Sequence, residues 1–594
     1  MAADEDDRFF VLDGVTSLYF YPDVLTKLNI DIVLEEPTAR ALWEERGYRG
    51  FALLPEGDVS FLAPGGDFEG VAPSEMGGNS LVHDGGFVFE VGDVRVDLRR
   101  FTIQRAALPW EWALLDAQGR TWFRLRHAHS ELKLDRKRLE LRHMDLALGP
   151  AWDGILKDPH LREANVGAGD LILNLALPER IYQFRGLCEP NFEGEVDIHL
   201  TQLGTVTVFA NLDGKVAMAP SATLENVGVA DVPWLRSIVP DGGISDPSEA
   251  GQHPYLIMAF YRMVDGRIVQ VGYSDVKHAF FAVNSGCSCP GGQVLYVGCS
   301  DIYGASTNAN RTYLAPRDEV TASTGEWTSL GSHFDGDPVD DRRDHSSAGH
   351  DSFEHRLFVQ ESVLQREEAR YFVDAWYVVQ GDIDIFNSMA YREVNPTEGT
   401  NWSFPPVAGM INGTVVDAWV PAGTMDIDEA NVVVDTGEGH LNLAGKMFEE
   451  SASSFRYEYA LMNHDFDRRI QSFTLPLPED VVVTDSAFFD GDEDAANDWT
   501  VAVEKDRVVW TAPDGADLDW GTMINFSLTC NGPPGSLNLE LGVLEPGESN
   551  TLQAAGVGPV IACQSMLSFR KTLPSWPDAV GLLGLIETLN ALCR

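Results

Sequence analysis

Lysine is scarce in this chain. Of its 43 basic residues nine are lysine and the rest arginine, against 91 Asp and Glu, for a formal net charge of −48. Such a surface repels polyanions, which argues against nucleic acid or an anionic membrane as a partner. It suits a chain kept soluble in a salty medium, or one that attracts cations. Long apolar runs are missing too: no stretch approaches the roughly 20 residues needed to cross a bilayer. Seven cysteines in 594 residues are too few for a disulfide scaffold. The start, MAADEDDRFF, is acidic and reads as neither signal nor transit peptide, so the chain is cytoplasmic or has lost a signal. Complete catalytic motifs are also absent. There is no GxxxxGK(S/T) and no GxGxxG between a strand and a helix. GYSDV (Gly272–Val276) has the first glycine and the serine of a nucleophile elbow, but Val276 replaces the second glycine; GCSDI fails likewise.

What is present is mostly strand-like. The length allows roughly three or four domains with a large core, and 44% hydrophobic and 10% aromatic content fits a globular chain. Residues 1–49 form a mixed N-terminal segment, where 23–47 has room for one or two short helices broken at Pro37. Residues 50–240 hold short period-two runs such as GFVFEVGDVRVDLRRFTI, with DLALGPAWDGILKDPHL as a helical insertion. PDGGISDPSEAGQHP marks a boundary. A central Cys/His/Asn-bearing domain follows at 241–400, then a β-sandwich at 401–545 whose strand runs recur every 8–20 residues or so. The tail, 546–594, carries an amphipathic helix from Ser575, with Asp578 at capping-box spacing. The expected class is mainly β: several antiparallel, sandwich-like domains with a few short helices and a C-terminal helix.

QHPYLIMAFYRMVDGRIVQVGYSDVKHAF and GCSDIYGASTNANRTYLAPRDEVTASTGEWTSLGSHFD resemble a group of bacterial secreted β-rich proteins with no assigned reaction. FEHRLFVQESVL, ARYFVDAWYVVQGDIDIFNSMAYREV, FRYEYALMNHDFDRRIQSFTLPLP and WGTMINFSLTCNGPP carry the same resemblance. It covers roughly 250–535 and, more faintly, 50–235. It implies an exported protein and names no activity. Ala315-Pro316 stands where those relatives commonly have Gly-Pro, a change confined to a turn.

Several clusters carry candidate chemistry. His278, Cys287, Cys289, Cys299 and Asp301 include the ligand types of a zinc or copper site, although CSC has one intervening residue where zinc sites usually have two to four. The competing reading for an exported chain is oxidative. Cys299 then pairs with Cys287 or Cys289, and the remaining thiol pairs elsewhere, for example with Cys188. The stretch 333–355 holds four histidines (His333, His345, His350, His355) and six aspartates, a possible zinc, manganese or calcium loop without HExxH spacing. Asp490, Asp492 and Asp494 begin like an EF-hand, but Ala495 and Val501 stand where glycine and glutamate belong, leaving at most a looser calcium loop. Lys277 and His278 are adjacent, so on a strand only one of them can line a given pocket. Trp376, Tyr377, Trp402, Trp499, Trp510 and Trp520 are either core or the lining of a sugar groove.

Two functions fit. The favoured one is an extracellular binding or structural protein taking calcium or a glycan. The alternative is a metal-dependent enzyme acting on an extracellular polymer or small molecule. Its ligands would be His278 and the 333–355 histidines, with Arg317 as anion clamp and Glu319 as general base. The segment 252–319 would also present Asn308 and Asn310.

Overall fold

The structure is a computed structural model. It describes residues 8–54, 59–62, 80–106, 111–133, 137–156, 164–176, 188–234, 238–239, 243–244, 252–279, 281–287, 289, 291–327, 332–334, 351–399, 401–492, 494–547 and 549–561. It is mainly β and built of antiparallel sheets, with three short α-helices among the described residues (Pro22–Lys27, Ala305–Asn308 and Glu361–Leu364). The C-terminal helix expected from Ser575 lies outside those residues.

The N-terminal unit is a ten-stranded sheet in which Arg8–Phe20 runs between Asn165–Ala176 and Arg49–Ala52, with a three-stranded sheet beside it. The first fifty residues are therefore part of this domain, not a separate segment. Asp31–Glu36, expected within a helical stretch, pairs instead as a strand with Gly86–Val91. In Arg138–Leu148 the apolar phase changes partway, from Leu139 and Leu141 to Met144, Leu146 and Leu148. A register shift between Leu141 and Met144, with His143 at φ 56°, lets both halves bury the same face.

The central unit is a two-sheet sandwich. One sheet holds Ile198–Leu212, Lys215–Asn226, Ser300–Tyr303 and Phe358–Gln360. The other runs Leu314–Ala315, Val276–His278, Tyr255–Val264, Arg370–Val378, Met389–Val394, Ile411–Asn412, with Arg267–Tyr273 beside Tyr255–Val264. Since Lys215–Asn226 pairs with Ser300–Tyr303, the boundary falls between 176 and 198, not near 240. Tyr255–Val264 is apolar on both faces because both are covered. Leu256, Met258 and Phe260 enter the sandwich core, while Tyr255 and Ile257 enter a second cluster behind the sheet.

The C-terminal unit, 429–561, packs two five-stranded sheets over a core in which Phe473 stacks on Phe526 at 4.4 Å, next to Trp510. Its last strand, Thr551–Pro559, belongs to this sandwich and not to a tail.

The two sandwiches are joined by a packed seam. Ala259, Tyr261, Ile268 and Phe372 of the central unit cluster with Ala444, Ala460, Met462 and Met523 of the C-terminal one. Arg267 forms a two-pronged ion pair with fully buried Glu458 at 2.7 and 2.8 Å. Gln270 donates to the Gly521 carbonyl at 3.1 Å and accepts from the Met523 N–H at 3.0 Å; Asn525 donates to the Ile268 carbonyl at 2.7 Å.

Candidate functional site

Where the seam opens, the two sandwiches enclose a cleft of about 640 Å³. Its central wall is the end of Arg267–Tyr273 and the turn after it. That turn contains the GYSDV segment. Ser274 is fully buried, its Oγ accepting from the Met258 N–H at 3.1 Å and donating to the Asp275 carbonyl at 2.7 Å, so it shapes the turn and is no nucleophile. The ordering leaves Tyr273 half exposed in the cleft and aims Asp275 at His355, whose Nδ1 lies 2.6 Å from Asp275 Oδ2. Burial alone would lower the His355 pKa. The bond to Asp275 and the charges of Asp275, Glu354 and Glu319 outweigh it, so the net shift is upward.

The opposite wall is C-terminal: Asp490, Asp492, Asn497, Trp499, Asp517 and Asp519. Gly491 lets the 490–497 loop approach the central sheet. A Cβ there would stand 1.6 Å from the Gln270 carbonyl oxygen, so no larger residue fits without displacement. The D-x-D-x-D run is a chain of turns in which Asp492 Oδ1 accepts from the Asp494 N–H at 2.7 Å and Asp494 Oδ1 from the Ala496 N–H at 3.0 Å. Asn497 Nδ2 donates to Asp492 Oδ2 at 2.9 Å. These bonds tie the loop's side chains to its own backbone and to each other. Partial burial and the neighbouring Asp492 push the Asp490 carboxyl up to about 6, and burial also raises Asp519. Arg469 neutralises Asp517 at 2.9 Å.

Arg317 and Glu319 take different roles from those expected. Arg317 is buried in the seam, donating to the Ser274 carbonyl through Nε and Nη2 (2.8 and 2.6 Å) and to the Trp520 carbonyl through Nη1 (3.0 Å). Three of its five N–H donors are committed to these carbonyls inside the seam, which leaves it poorly placed to clamp an anion. Its guanidinium instead lies 4.9 Å from the Tyr273 ring centroid and braces that ring. Glu319 Oε1 accepts the His333 N–H at 2.7 Å, holding that loop in place.

The histidines gather behind the cleft as ring contacts and one close pair. His278 sits in a cage of Tyr255, Trp327 and Phe334, its Nδ1 2.9 Å from His253 Nε2. His333 packs on Phe334 and on His355. Burial, then the neighbouring His253, His333 and Lys277, drives the His278 pKa well below its ordinary value. Among the described residues, no three His, Asp or Glu ligand atoms lie close enough to share one ion. The metal reading built on His278 with His333 and His355 is therefore not met by these side chains. His345 and His350 lie outside the described residues.

The cysteines are paired as Cys287–Cys299 and Cys188–Cys289. The Cys287, Cys289 and Cys299 sulfurs lie within 4.8 Å of one another because the two bridges are neighbours. Bonded to each other, they offer no thiolates, so a metal would need the reduced chain. Asp301 is not part of that group and accepts the Val283 N–H at 2.7 Å. Asn308 donates to the Pro220 carbonyl and Asn310 caps the 311–313 turn, so neither is presented to a ligand. Trp376, Tyr377, Trp402, Trp499, Trp510 and Trp520 are all buried. Only Trp499 reaches the cleft wall; the exposed ring there is Tyr273, which a single short GYSDV segment gave no means of choosing.

The chain defines a mainly β, disulfide-bonded class of protein with an acid-walled cleft between two sandwiches. No protein-family model matches it, and no curated protein matches it. No helix among the described residues is long and apolar enough to cross a membrane.

Proposed function

We propose that this chain is an exported carbohydrate-binding protein whose ligand lies in the cleft between the central and C-terminal sandwiches. The observation that carries the reading is Tyr273. It is a half-exposed aromatic ring, braced from behind by Arg317 and faced by carboxylates. A flat apolar face next to oxygen acceptors suits a sugar, which stacks its C–H face on a ring and donates its hydroxyls to carboxylates. The acidic walls and the charge of −48 favour neutral or amino sugars over acidic ones. Two disulfides support an oxidising compartment, and hence an extracellular or periplasmic location. The histidines behind the wall serve to position it, through His355 and Asp275.

The test is a glycan array with the full chain, followed by calorimetry on any hit. Tyr273→Ala should weaken binding about tenfold, or about 1.4 kcal/mol, while Tyr273→Phe retains it. Equal binding by wild type and Tyr273→Ala overturns the reading.

A further inference from the structure

Lys277 is fully buried, and its amine has no hydrogen-bond partner among the described residues. On Val276–His278 it faces inward, opposite to His278, and its Nζ lies 2.9 Å from the centroid of the Tyr303 ring on the facing sheet. Two residues before Tyr303 on the same strand, and so on the same face, is Asp301, also fully buried. Its Oδ1 accepts from Val283, but Oδ2 has no partner among the described residues. Tyr377 Oη is a third unmatched buried polar atom, and Asp301 acts electrostatically on both Tyr303 and Tyr377. Burying an unsatisfied amine and an unsatisfied carboxyl in one aromatic core costs several kcal/mol in total. Nothing in the binding cleft uses these groups.

We propose that Lys277 and Asp301 condense into an intramolecular amide that ties the two sheets of the central sandwich together. The reactive forms are the neutral amine and the protonated acid. Burial favours both: it pushes the Asp301 carboxyl up to about 7 and the Lys277 amine well below the usual lysine range. The amine nitrogen bonds to Asp301 Cγ, the Cγ–OH bond breaks, and the hydroxyl leaves as water with one amine proton. Tyr377 Oη, which shares this core and has no partner among the described residues, is the group suited to pass that proton. No oxidant or cofactor is required, and both stranded polar groups become one neutral amide.

The test is intact mass of the reduced, denatured full chain, with tryptic mapping. The expected result is a chain lighter than its sequence by one water. The peptide 268–311 should then appear uncut after Lys277, carry that loss and fragment as a ring between 277 and 301. Asp301→Ala and Lys277→Met should each recover their full sequence mass. A wild-type chain at full mass with ordinary cleavage after Lys277 overturns the proposal, and needs no variant to fold. Retention of the loss in Asp301→Ala overturns it equally.

Discussion

Glu458 is the most informative place to strain the seam. It is fully buried and accepts both prongs of Arg267, as well as Arg456 Nη1 and the Ser527 hydroxyl at 3.1 Å. Glu458→Gln keeps the shape and removes the charge, leaving the Arg267 guanidinium buried beside a neutral amide. Removing one partner of a buried pair costs about 3–5 kcal/mol. Arg267 retains 16% side-chain exposure and a Phe489 ring 3.5 Å away, which places the loss toward the lower figure. For a cooperative unit of 150–250 residues this lowers Tm by roughly 6–12 °C. The assay is calorimetry together with urea unfolding followed by tryptophan fluorescence. Several domains make a single two-state transition unsafe to assume, so the transition that shifts should be identified. The double variant Arg267→Met/Glu458→Leu should return to within about 1 kcal/mol of wild type, because an apolar pair of similar volume replaces the ions. A loss under about 1 kcal/mol for Glu458→Gln would mean that water reaches the pair and the seam is open.

Three further outcomes follow from the same geometry. Cys287→Ser/Cys299→Ser opens a bridge spanning 12 residues and should cost about 3 kcal/mol; a non-reduced digest should recover the 287–299 and 188–289 linkages. His355 is raised above 6.5 in the folded chain. Its bond to Asp275 therefore contributes fully below the unfolded pKa and is lost as pH rises through the folded one. Asp275→Asn should remove this pH dependence of Tm, and an unchanged profile would contradict it. Gly491→Ala must push the 490–497 loop off the Gln270 carbonyl; it should weaken cleft binding and stability together, read by calorimetry, and an unaltered variant would show that the loop is free.

The class of fold was legible because its cause is local. Period-two alternation marked the strands, and it also put Lys277 and His278 on opposite faces, where they are found. The cysteine reading reached the right set: Cys299 with one member of CSC, and Cys188 with the other. Domain limits were less legible. Lys215–Asn226 alternates like the strands before it, and only its pairing with Ser300–Tyr303 assigns it to the central sandwich. The cleft was hidden for a similar reason. Its two walls lie far apart in sequence, joined by contacts such as Gln270 to Met523, and a glycine at 491 reveals its purpose only against the strand that it meets. Arg317 looked like an anion clamp because arginines often are; the Ser274 and Trp520 carbonyls that occupy it could not be read from its neighbours.

The most direct measurement is calorimetric titration of a glycan-array hit into wild type and Tyr273→Ala across pH 5 to 8. Carboxylates accept hydroxyl protons best when ionised, and the Asp490 carboxyl is held near 6. Wild-type binding should therefore strengthen as pH rises through that value, and Tyr273→Ala should bind about tenfold more weakly throughout. Binding that is flat with pH and indifferent to Tyr273, or no glycan bound at all, would contradict a carbohydrate site in this cleft.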